Sequence, residues 1–302
     1  MKFIDTIITL LKILIKSRVT NFQTLKPSNK KNVLIVGNGP SAKTSLQRIA
    51  VSPSKINTSI FAVNKFAVSE HFKDLKPDYY ALLDGDFFHF NEEVFEDASK
   101  HPRVNIKPEF LEWQIQINNT WKNLLSADWP ITLFVPNQYK SAYILNRCKN
   151  APLRIIYFNY TVSKGFVWFK HWVFRTNLGM PQSQNVINAA IYLALTKLGN
   201  RINLIGLDHD FHKNLSLNDQ NQLIETVSHF YTGTPFSHPL IHANTGKPVT
   251  LAETFENLHK LHKGYLELRN YTQFLHKEVY NLTPGGFVDA FEREKLEDVF
   301  PF

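Results

Sequence analysis

The sequence predicts an α/β fold in which a doubly wound, mostly parallel sheet carries a loop-rich lid and an N-terminal amphipathic helix. From Asn32 onwards, short apolar runs alternate with helical patterns and are bounded by Gly, Pro and Asn. These runs are apolar throughout, as expected for parallel strands that are buried on both faces. The chain has 302 residues, 43% of them hydrophobic, which is enough for a large buried core.

The chain begins with an amphipathic helical pattern. Four polar residues recur along it at steps of four, three and four: Asp5, Thr9, Lys12 and Lys16. This spacing places them on one side of a helix whose other side is apolar. The lysine in the middle of the pattern argues against a membrane-spanning helix, and no small-residue cleavage site follows as in a secretory signal.

We expect this helix, within residues 1–20, to lie in a membrane surface. Three cations would then be near anionic head groups: Lys12, Lys16 and Arg18. Residues 21–31 are mostly polar and are predicted to form a tether that leads to the domain of residues 32–302. The alternative is a helix that packs on its own domain or on a partner chain.

Six apolar runs in this domain are predicted as strands: 33–36, 59–63, 79–83, 131–135, 154–158 and 202–205. Helical patterns accompany them at 42–50, 108–125, 138–147, 184–198 and 251–276. Residues 208–250 are rich in Gly, Pro, Ser, His and Asn and show little periodicity. This region is predicted to be a lid or an acceptor-binding element beside the carboxyl ends of the strands.

The first predicted strand runs into a glycine-rich turn, Gly37-Asn38-Gly39-Pro40-Ser41, and then into a helix. The glycines let the backbone approach a ligand, the proline presets the first helical turn, and Ser41 with nearby amides can bind phosphate or ribose oxygens. The third glycine of G-x-G-x-x-G and the Gly-Lys-Ser/Thr of a P-loop are missing. The turn therefore fits the mononucleotide end of a nucleotide sugar better than a dinucleotide or ATP, with a purely structural turn as the alternative.

Three polar residues follow the second and third predicted strands: Asn64, Asp84 and Asp86. Since the carboxyl ends of parallel strands meet at one edge of a sheet, we expect all three beside the glycine-rich turn. An Asp-x-Asp pair after a strand can hold a divalent metal on a diphosphate, because hard cations prefer carboxylate oxygens. Base or ribose contacts by Asp84, and capping of the loop, are the alternatives.

Other polar residues lie where a helix begins, at Ser183 and Gln184, and where the last predicted strand ends, at Asp208. The lid region contains His229, and a histidine near a phosphate is a common general acid or base at neutral pH. Three histidines could also join Asp208 or Asp210 as zinc ligands: His209, His212 and His229. No pair has H-E-x-x-H spacing, which argues against zinc.

Composition narrows the classes of function. Lys and Arg number 34 against 26 Asp and Glu, and the net charge of +8 suits an anionic ligand, an anionic membrane surface or nucleic acid. We do not expect nucleic acid, because no aromatic-plus-basic RNA motif is present. The single cysteine, Cys148, excludes an internal disulfide and a Cys-rich metal site, and its neighbours do not activate the thiol.

Four motifs together resemble a known family: Gly37-Asn38-Gly39-Pro40-Ser41, Val63-Asn64-Lys65-Phe66, Gly206-Leu207-Asp208 and Ser228-His229-Phe230-Tyr231. They are similar to motifs of the bacterial CMP-sialic acid-dependent lipooligosaccharide sialyltransferases. Wider relatives are the flagellin-glycosylating motility accessory factors and the hydroxymethylpterin pyrophosphokinase-like proteins. The likeness extends over residues 32–283 and implies one Rossmann-like nucleotide-binding domain with a smaller lid.

The resemblance implies a set of donor-binding residues: Gly37, Asn38, Gly39, Pro40, Ser41, Asn64, Asp84, Ser183, Gln184 and Asp208. It makes His229 the base that deprotonates the acceptor hydroxyl. His238 competes for this role, since the family's catalytic histidine falls a few residues beyond its Ser-His-aromatic pair. The chain departs from the family at Asp84, where the family has Asn, and after Asp208, where the family has a Tyr that helps the phosphate leave.

Together these features predict a glycosyltransferase that moves sialic acid or a related acidic sugar from a CMP-linked donor to a hydroxyl of a surface glycan. The acceptor would be a glycan or lipid-linked glycan of lipopolysaccharide or capsule, met at the cytoplasmic face of the inner membrane. No cofactor is expected to be required, although Asp84 and Asp86 could hold a divalent metal. The alternatives are an ATP- and magnesium-dependent pyrophosphoryl transferase and a non-catalytic protein that binds glycans or nucleic acid.

Overall fold

The computed structural model describes residues 2–106, 110–227, 236–242 and 245–301. The strands of these residues are β1 (Asn32–Val36), β2 (Thr58–Val63), β3 (Tyr79–Ala81), β4 (Ile131–Pro136), β5 (Leu153–Phe158), β6 (Arg201–Ile205), β7 (Leu215–Leu217), β8 (Leu223–Val227), β9 (Phe236–Pro239), β10 (Glu278–Asn281) and β11 (Glu292–Arg293). Their helices are α1 (Lys2–Lys16), α2 (Ala42–Val51), α3 (His71–Leu75), α4 (Glu92–Glu96), α5 (Pro102–Ile106), α6 (Phe110–Leu125), α7 (Val167–Thr176), α8 (Val186–Lys197), α9 (Leu251–Phe274) and α10 (Leu296–Val299).

The parallel sheet has eight described strands, and its central strands are buried on both faces. Along β1, Val33 and Ile35 belong to the core that contains α8, whereas Leu34 and Val36 belong to the core that contains α2. Because successive residues of a strand point to opposite faces, both sets must be apolar. The predicted α/β, doubly wound, Rossmann-like class is confirmed.

The strand order of this sheet is β5-β4-β3-β2-β1-β6-β10-β11, with every neighbouring pair parallel. The chain winds outward from β1 to β5 and then returns through α7 and α8 to add β6 on the other side of β1. Ligands of open α/β sheets bind outside the carboxyl ends of the strands where the winding reverses. We therefore expect a ligand site at the carboxyl ends of β1 and β6, beside the glycine-rich turn.

Several described elements differ from the prediction, which also lacks the strands β10 and β11 and the short helices α3, α4, α5 and α10. The predicted helix over 138–147 consists of 3₁₀ segments, Asn137–Tyr139 and Tyr143–Asn150, separated by an extended Ala142. Helix α7 is absent from the prediction. Four of its ten residues are Trp or Phe, and aromatic residues are only moderate helix formers.

The predicted lid, 208–250, contains a small antiparallel sheet, β7-β8-β9, in its described part. Glu225 of β8 lies opposite His238 of β9. The predicted base His229 lies outside the described residues. The lid begins just after β6, so it extends from the same edge of the sheet that carries the glycine-rich turn.

Helix α1 turns its threonines toward the domain, whereas Lys12 and Lys16 stay exposed. Thr9 is buried, and its hydroxyl donates to the carbonyl of Lys164 and accepts the Lys164 NH, both at 2.9 Å. Thr6 accepts the NH of Phe166 at 3.2 Å. The helix thus packs on its own domain, and Ile13 packs against the core. Its other large apolar residues stay exposed: Phe3, Ile4, Ile7, Ile8, Leu10, Leu11, Leu14 and Ile15.

The segment 21–31 is part of the folded domain rather than a free tether. Phe22 and Leu25 are buried in the core, and the Asn21 side chain bonds to the backbone of Ile155 and Tyr157. Two apolar residues among polar ones give no periodic signal, which is why the sequence indicates a tether. In the part of the chain that the structure describes, no helix has both the length and the apolar character needed to cross a membrane.

Candidate functional site

The glycine-rich turn packs against the turn that follows β6. The NH of Gly37 donates to the carbonyl of Ile205 at 2.8 Å, and the NH of Gly39 donates to the carbonyl of Gly206 at 3.1 Å. A Cβ on Gly37 would collide with the Gly206 carbonyl. Pro40 is exposed at the start of α2. The close approach of two strand ends is therefore a structural reason for these glycines.

Asp208 lies at the start of α2, where the sequence predicts a phosphate. Its carboxylate accepts the Ser41 hydroxyl at 2.9 Å and the Ser41 NH at 3.3 Å, and a Cβ on Gly39 would collide with it. Burial raises the pKa of Asp208, and the hydrogen bonds from Ser41 oppose that shift. The Asp208 carboxylate thus already occupies the positive, amino-terminal end of α2. The turn therefore suits the hydroxyl groups of a ligand better than a phosphate.

Asn38 and Asn64 each hold an amide oxygen without a partner. The Asn38 side-chain nitrogen donates to the carbonyl of Val63 at 3.4 Å, so Asn38 reaches the end of β2. Asn64, the residue directly after β2, has a φ of 47°, in the left-handed region that Asn adopts more readily than most residues. Among the described residues, neither Oδ1 has a hydrogen-bond partner, and both are buried. Because an unpaired buried acceptor costs about 1–3 kcal/mol, we expect a ligand that donates to them.

Lys65, two residues past β2, brings a cation to the same edge of the sheet. Its ammonium donates to the Gln116 side chain at 2.8 Å and lies 3.5 Å from the centre of the Trp113 ring. Burial lowers the pKa of Lys65 to about 8, against the effect of the Asp84 and Glu112 carboxylates. Lys65 belongs to the motif Val63-Asn64-Lys65-Phe66, but the sequence indicates no role for it. Only its burial distinguishes it from a surface lysine.

Asp84 caps the short 3₁₀ segment after β3, where it accepts the NH of Asp86 at 3.0 Å. Partial burial of its carboxylate raises the pKa of Asp84, although Lys65 and Arg103 nearby lower it. Asp86 bonds to Arg103 Nη1 at 2.7 Å and to Trp113 Nε1 at 3.2 Å. Both Asp86 oxygens thus have protein donors. In the described ranges no group of three or more His, Cys, Asp or Glu is arranged to hold a metal.

Ser183 and Gln184 precede α8 and differ in their exposure to solvent. Ser183 is buried, its hydroxyl donates to the Asn185 carbonyl at 2.8 Å, and its own carbonyl accepts the Tyr160 hydroxyl at 3.1 Å. Gln184 is exposed and accepts from the Gln182 side chain at 3.1 Å. Of the two, Gln184 is therefore the better placed to meet a ligand.

His209 links the end of β6 to the helices behind it. Its Nε2 lies 2.6 Å from the Tyr265 hydroxyl and 3.4 Å from the Asn185 side-chain nitrogen. Burial lowers the pKa of His209 to about 3, and the charge of His262 adds to this shift. The ring is therefore neutral near pH 7, and its hydrogen bonds to Tyr265 and Asn185 hold the residue that follows Asp208 in place.

In its described part the lid places a carboxylate opposite an imidazole, those of Glu225 and His238. Burial raises the pKa of Glu225, and the positive charge of His238 opposite it lowers that pKa. A carboxylate beside an imidazole can accept the ring NH and so orient the ring. His238 therefore has a partner suited to a base, whereas the geometry of His229 lies outside the described residues.

The structure gathers most of the predicted donor-binding residues. The glycine-rich turn, Asn64 and Asp208 meet at the ends of β1, β2 and β6. Ser183 and Gln184 join this group through Asn185 and His209. Asp84 lies close enough to Lys65 for their charges to interact.

No protein-family model and no curated protein matches the chain. Among solved structures it is similar to the MAf glycosyltransferase from Magnetospirillum magneticum AMB-1, with 13% identity and a TM-score of 0.43. The match covers 90% of this chain and 35% of that chain, so this chain spans about a third of the length of that protein.

Proposed function

We propose that the protein is a glycosyltransferase that transfers a sugar from a CMP-linked donor to a hydroxyl of a cell-surface glycan. The observation that carries this proposal is the pair of unpaired amide oxygens of Asn38 and Asn64 beside the Asp208 carboxylate. Three acceptors where the winding reverses match a nucleoside, which offers ribose hydroxyls as donors. Cytosine adds an exocyclic amine, which uracil lacks, and this favours CMP over UMP.

The donor phosphate would lie away from Asp208, because two negative charges repel each other. Lys65 supports a phosphate position beyond β2: with a pKa of about 8, it is mostly protonated at pH 7. A cation at this point stabilises the negative charge that develops on the departing phosphate. It also favours a sugar with its own carboxylate, such as sialic acid.

The proposed reaction is a direct displacement. The acceptor hydroxyl oxygen attacks the anomeric carbon, a new carbon–oxygen bond forms, and the bond from that carbon to the phosphate oxygen of CMP breaks. The acceptor proton passes to a base and CMP leaves with the bonding electron pair. We assign the base to a histidine of the lid, with His229 as the first choice and His238, oriented by Glu225, as the second.

A hydrolysis screen tests the proposal with the full chain and CMP-, UDP- and GDP-linked sugars. We expect release of CMP from a CMP-sugar, little reaction with the other donors, and continued activity in the presence of a metal chelator. Reaction with ATP alone, or with no nucleotide, would contradict the proposal.

The pyrophosphoryl-transferase alternative requires magnesium held by Asp84 and Asp86. Arg103 and Trp113 already bond to the Asp86 carboxylate, and Asp84 is committed to capping the following turn. This geometry gives the alternative no specific support. Non-catalytic binding of a glycan would appear in the same screen as donor binding without turnover.

A further inference from the structure

The outer side of α1 and the start of α7 form an apolar surface, called here the α1–α7 surface. It consists of exposed residues: Phe3, Ile4, Ile7, Ile8, Leu10, Leu11, Leu14, Ile15, Val167, Trp168 and Trp172. A surface helix of a globular protein usually turns its apolar stripe toward the core. Here the threonines of α1 face the domain and the stripe faces outward, so the helix is reversed with respect to that pattern.

Helix α1 is held along the loop that leads into α7. Thr6 of α1 accepts the NH of Phe166, the residue that directly precedes α7, and a Cβ on Gly165 would collide with Thr6. Further along, the Ser17 hydroxyl donates to the Thr161 side chain at 3.0 Å. These contacts fix α1 along its length, so the apolar surface is preformed.

The charges at the edge of this surface are mostly positive. Four cations and one acid lie on residues 2–18: Lys2, Lys12, Lys16 and Arg18 against Asp5. Lys12 and Lys16 are exposed on α1, and Lys164 is exposed in the loop beneath it. A second copy of the chain seated face to face would bring these cations together, whereas an anionic surface would attract them.

We propose that the α1–α7 surface docks on an anionic lipid bilayer and lies in its interface without crossing it. An amphipathic helix with cations at its polar edge binds in this way through its apolar face and the negative head groups. Trp168 is 69% exposed and has the side chain most typical of the membrane–water boundary. The partner is thus identified by three matched properties: an apolar face, a cationic edge and interfacial tryptophans.

Docking would also set the orientation of the candidate site. The loop under α1 contains Tyr160, whose hydroxyl bonds to Ser183 beside the site, and Thr161, which bonds to Ser17. The crevice therefore lies near the surface that meets the head groups. If the proposed function holds, the acceptor hydroxyl belongs to a lipid-linked glycan.

Cosedimentation of the full chain with vesicles of equimolar phosphatidylcholine and phosphatidylglycerol tests the proposal. Leu14→Gln should weaken binding about tenfold, since it removes a side chain that is 76% exposed on the surface. Ile56→Gln is the matched control, because Ile56 is 78% exposed but precedes β2 at the opposite edge of the sheet, and its binding should stay unchanged. Lys12→Gln should weaken binding about fivefold on these vesicles and very little on pure phosphatidylcholine.

Light scattering without lipid accompanies these assays. The proposal predicts a monomer that binds vesicles, with the Leu14→Gln defect unchanged whether or not a donor is present. It is overturned if the wild type ignores anionic vesicles, if Leu14→Gln binds like Ile56→Gln, or if the wild type is a dimer that Leu14→Gln dissociates. Vesicle binding needs no turnover, so failure of the proposed function would show separately, as absence of CMP release from a protein that still sediments.

Discussion

Asp208 determines which ligand groups can approach the glycine-rich turn. Its carboxylate bonds to Ser41 at the start of α2, and its neighbour His209 is held neutral by burial between Tyr265 and Asn185. The turn therefore favours hydrogen-bond donors. The sequence shows Ser41 and Asp208 as separate polar residues 167 positions apart, and no local pattern reveals that they bond to each other.

The charge of Lys65 should make donor binding depend on pH. Above its pKa of about 8 the side chain loses its proton, so affinity for a CMP-sugar should fall as the pH rises through that value. Lys65→Met should bind about tenfold more weakly at pH 7 and lose this dependence. Titration calorimetry measures both effects, with the exposed Lys43→Met as the control. An unchanged pH dependence in Lys65→Met would remove Lys65 from the donor site.

The same depressed pKa has a consequence for stability. The ordinary pKa of lysine is 10.5, so between about 8 and 10.5 the unfolded chain binds the proton that the folded chain has released. The free energy of unfolding of the wild type should therefore rise with pH in this window, relative to Lys65→Met. Urea denaturation at several pH values measures the difference in the free energy of unfolding between the wild type and Lys65→Met. A difference that does not change with pH would contradict a buried Lys65 with a lowered pKa.

The base of the proposed reaction is testable at two histidines. His229→Ala should lower turnover about 10²- to 10⁴-fold with donor affinity nearly unchanged, as expected for loss of a general base. His238→Ala is the comparison. If His238→Ala is inactive while His229→Ala works normally, the base is His238 with Glu225. If both variants are normal, the base lies outside these two histidines.

The sequence predicts well the helices and strands that have a repeating apolar pattern. It predicts poorly the elements whose structure depends on packing against neighbouring elements. The apolar runs that form β1, β2, β4 and β6 are buried on both faces, and the sequence predicts these strands and the edge strand β5 within one or two residues. The strand β11 has only two residues, which is too short for a pattern. The amphipathic pattern of α1 is correct, but periodicity alone cannot show which side of a helix meets the domain.

The contact between the turns after β1 and β6 should be intolerant of side chains. Gly37→Ala would place a methyl group against the Gly206 carbonyl and should lower the free energy of unfolding by about 1–3 kcal/mol. Gly85→Ala is the milder comparison, because its nearest neighbours are the side chains of His89 and Tyr139 at 3.1 Å, which can move. Equal effects in urea denaturation would contradict the tight contact.

The docking of α1 should depend on Thr9. Thr9→Val removes both hydrogen bonds to Lys164 and leaves two backbone groups unpaired, at a cost of about 1–3 kcal/mol. Local opening should then expose α1 to trypsin at Lys12 and Lys16, and cleavage there should be about tenfold faster. Ile8→Val, on the exposed side, is the control. Equal cleavage of both variants would show that Thr9 does not hold the helix.

At the scale of the whole molecule, the strand order explains why distant motifs form one site. Because β6 returns to the side of β1, Asp208 meets Ser41, while Asn38 reaches across to the end of β2. The sequence predicts this common edge from the parallel fold alone. It does not predict that Arg103 and Trp113 bond to Asp86, since these contacts come from helices whose packing no pattern encodes.

Equilibrium titration of the full chain with CMP tests most directly whether the crevice binds the donor nucleotide. The account predicts that CMP binds more tightly than UMP and that Asn64→Ala, at the carboxyl end of β2, weakens CMP binding about tenfold. Asn57→Ala, at the exposed amino end of the same strand, should bind CMP like the wild type. Equal CMP affinity in Asn64→Ala and Asn57→Ala, or no binding of CMP by the wild type, would contradict the account.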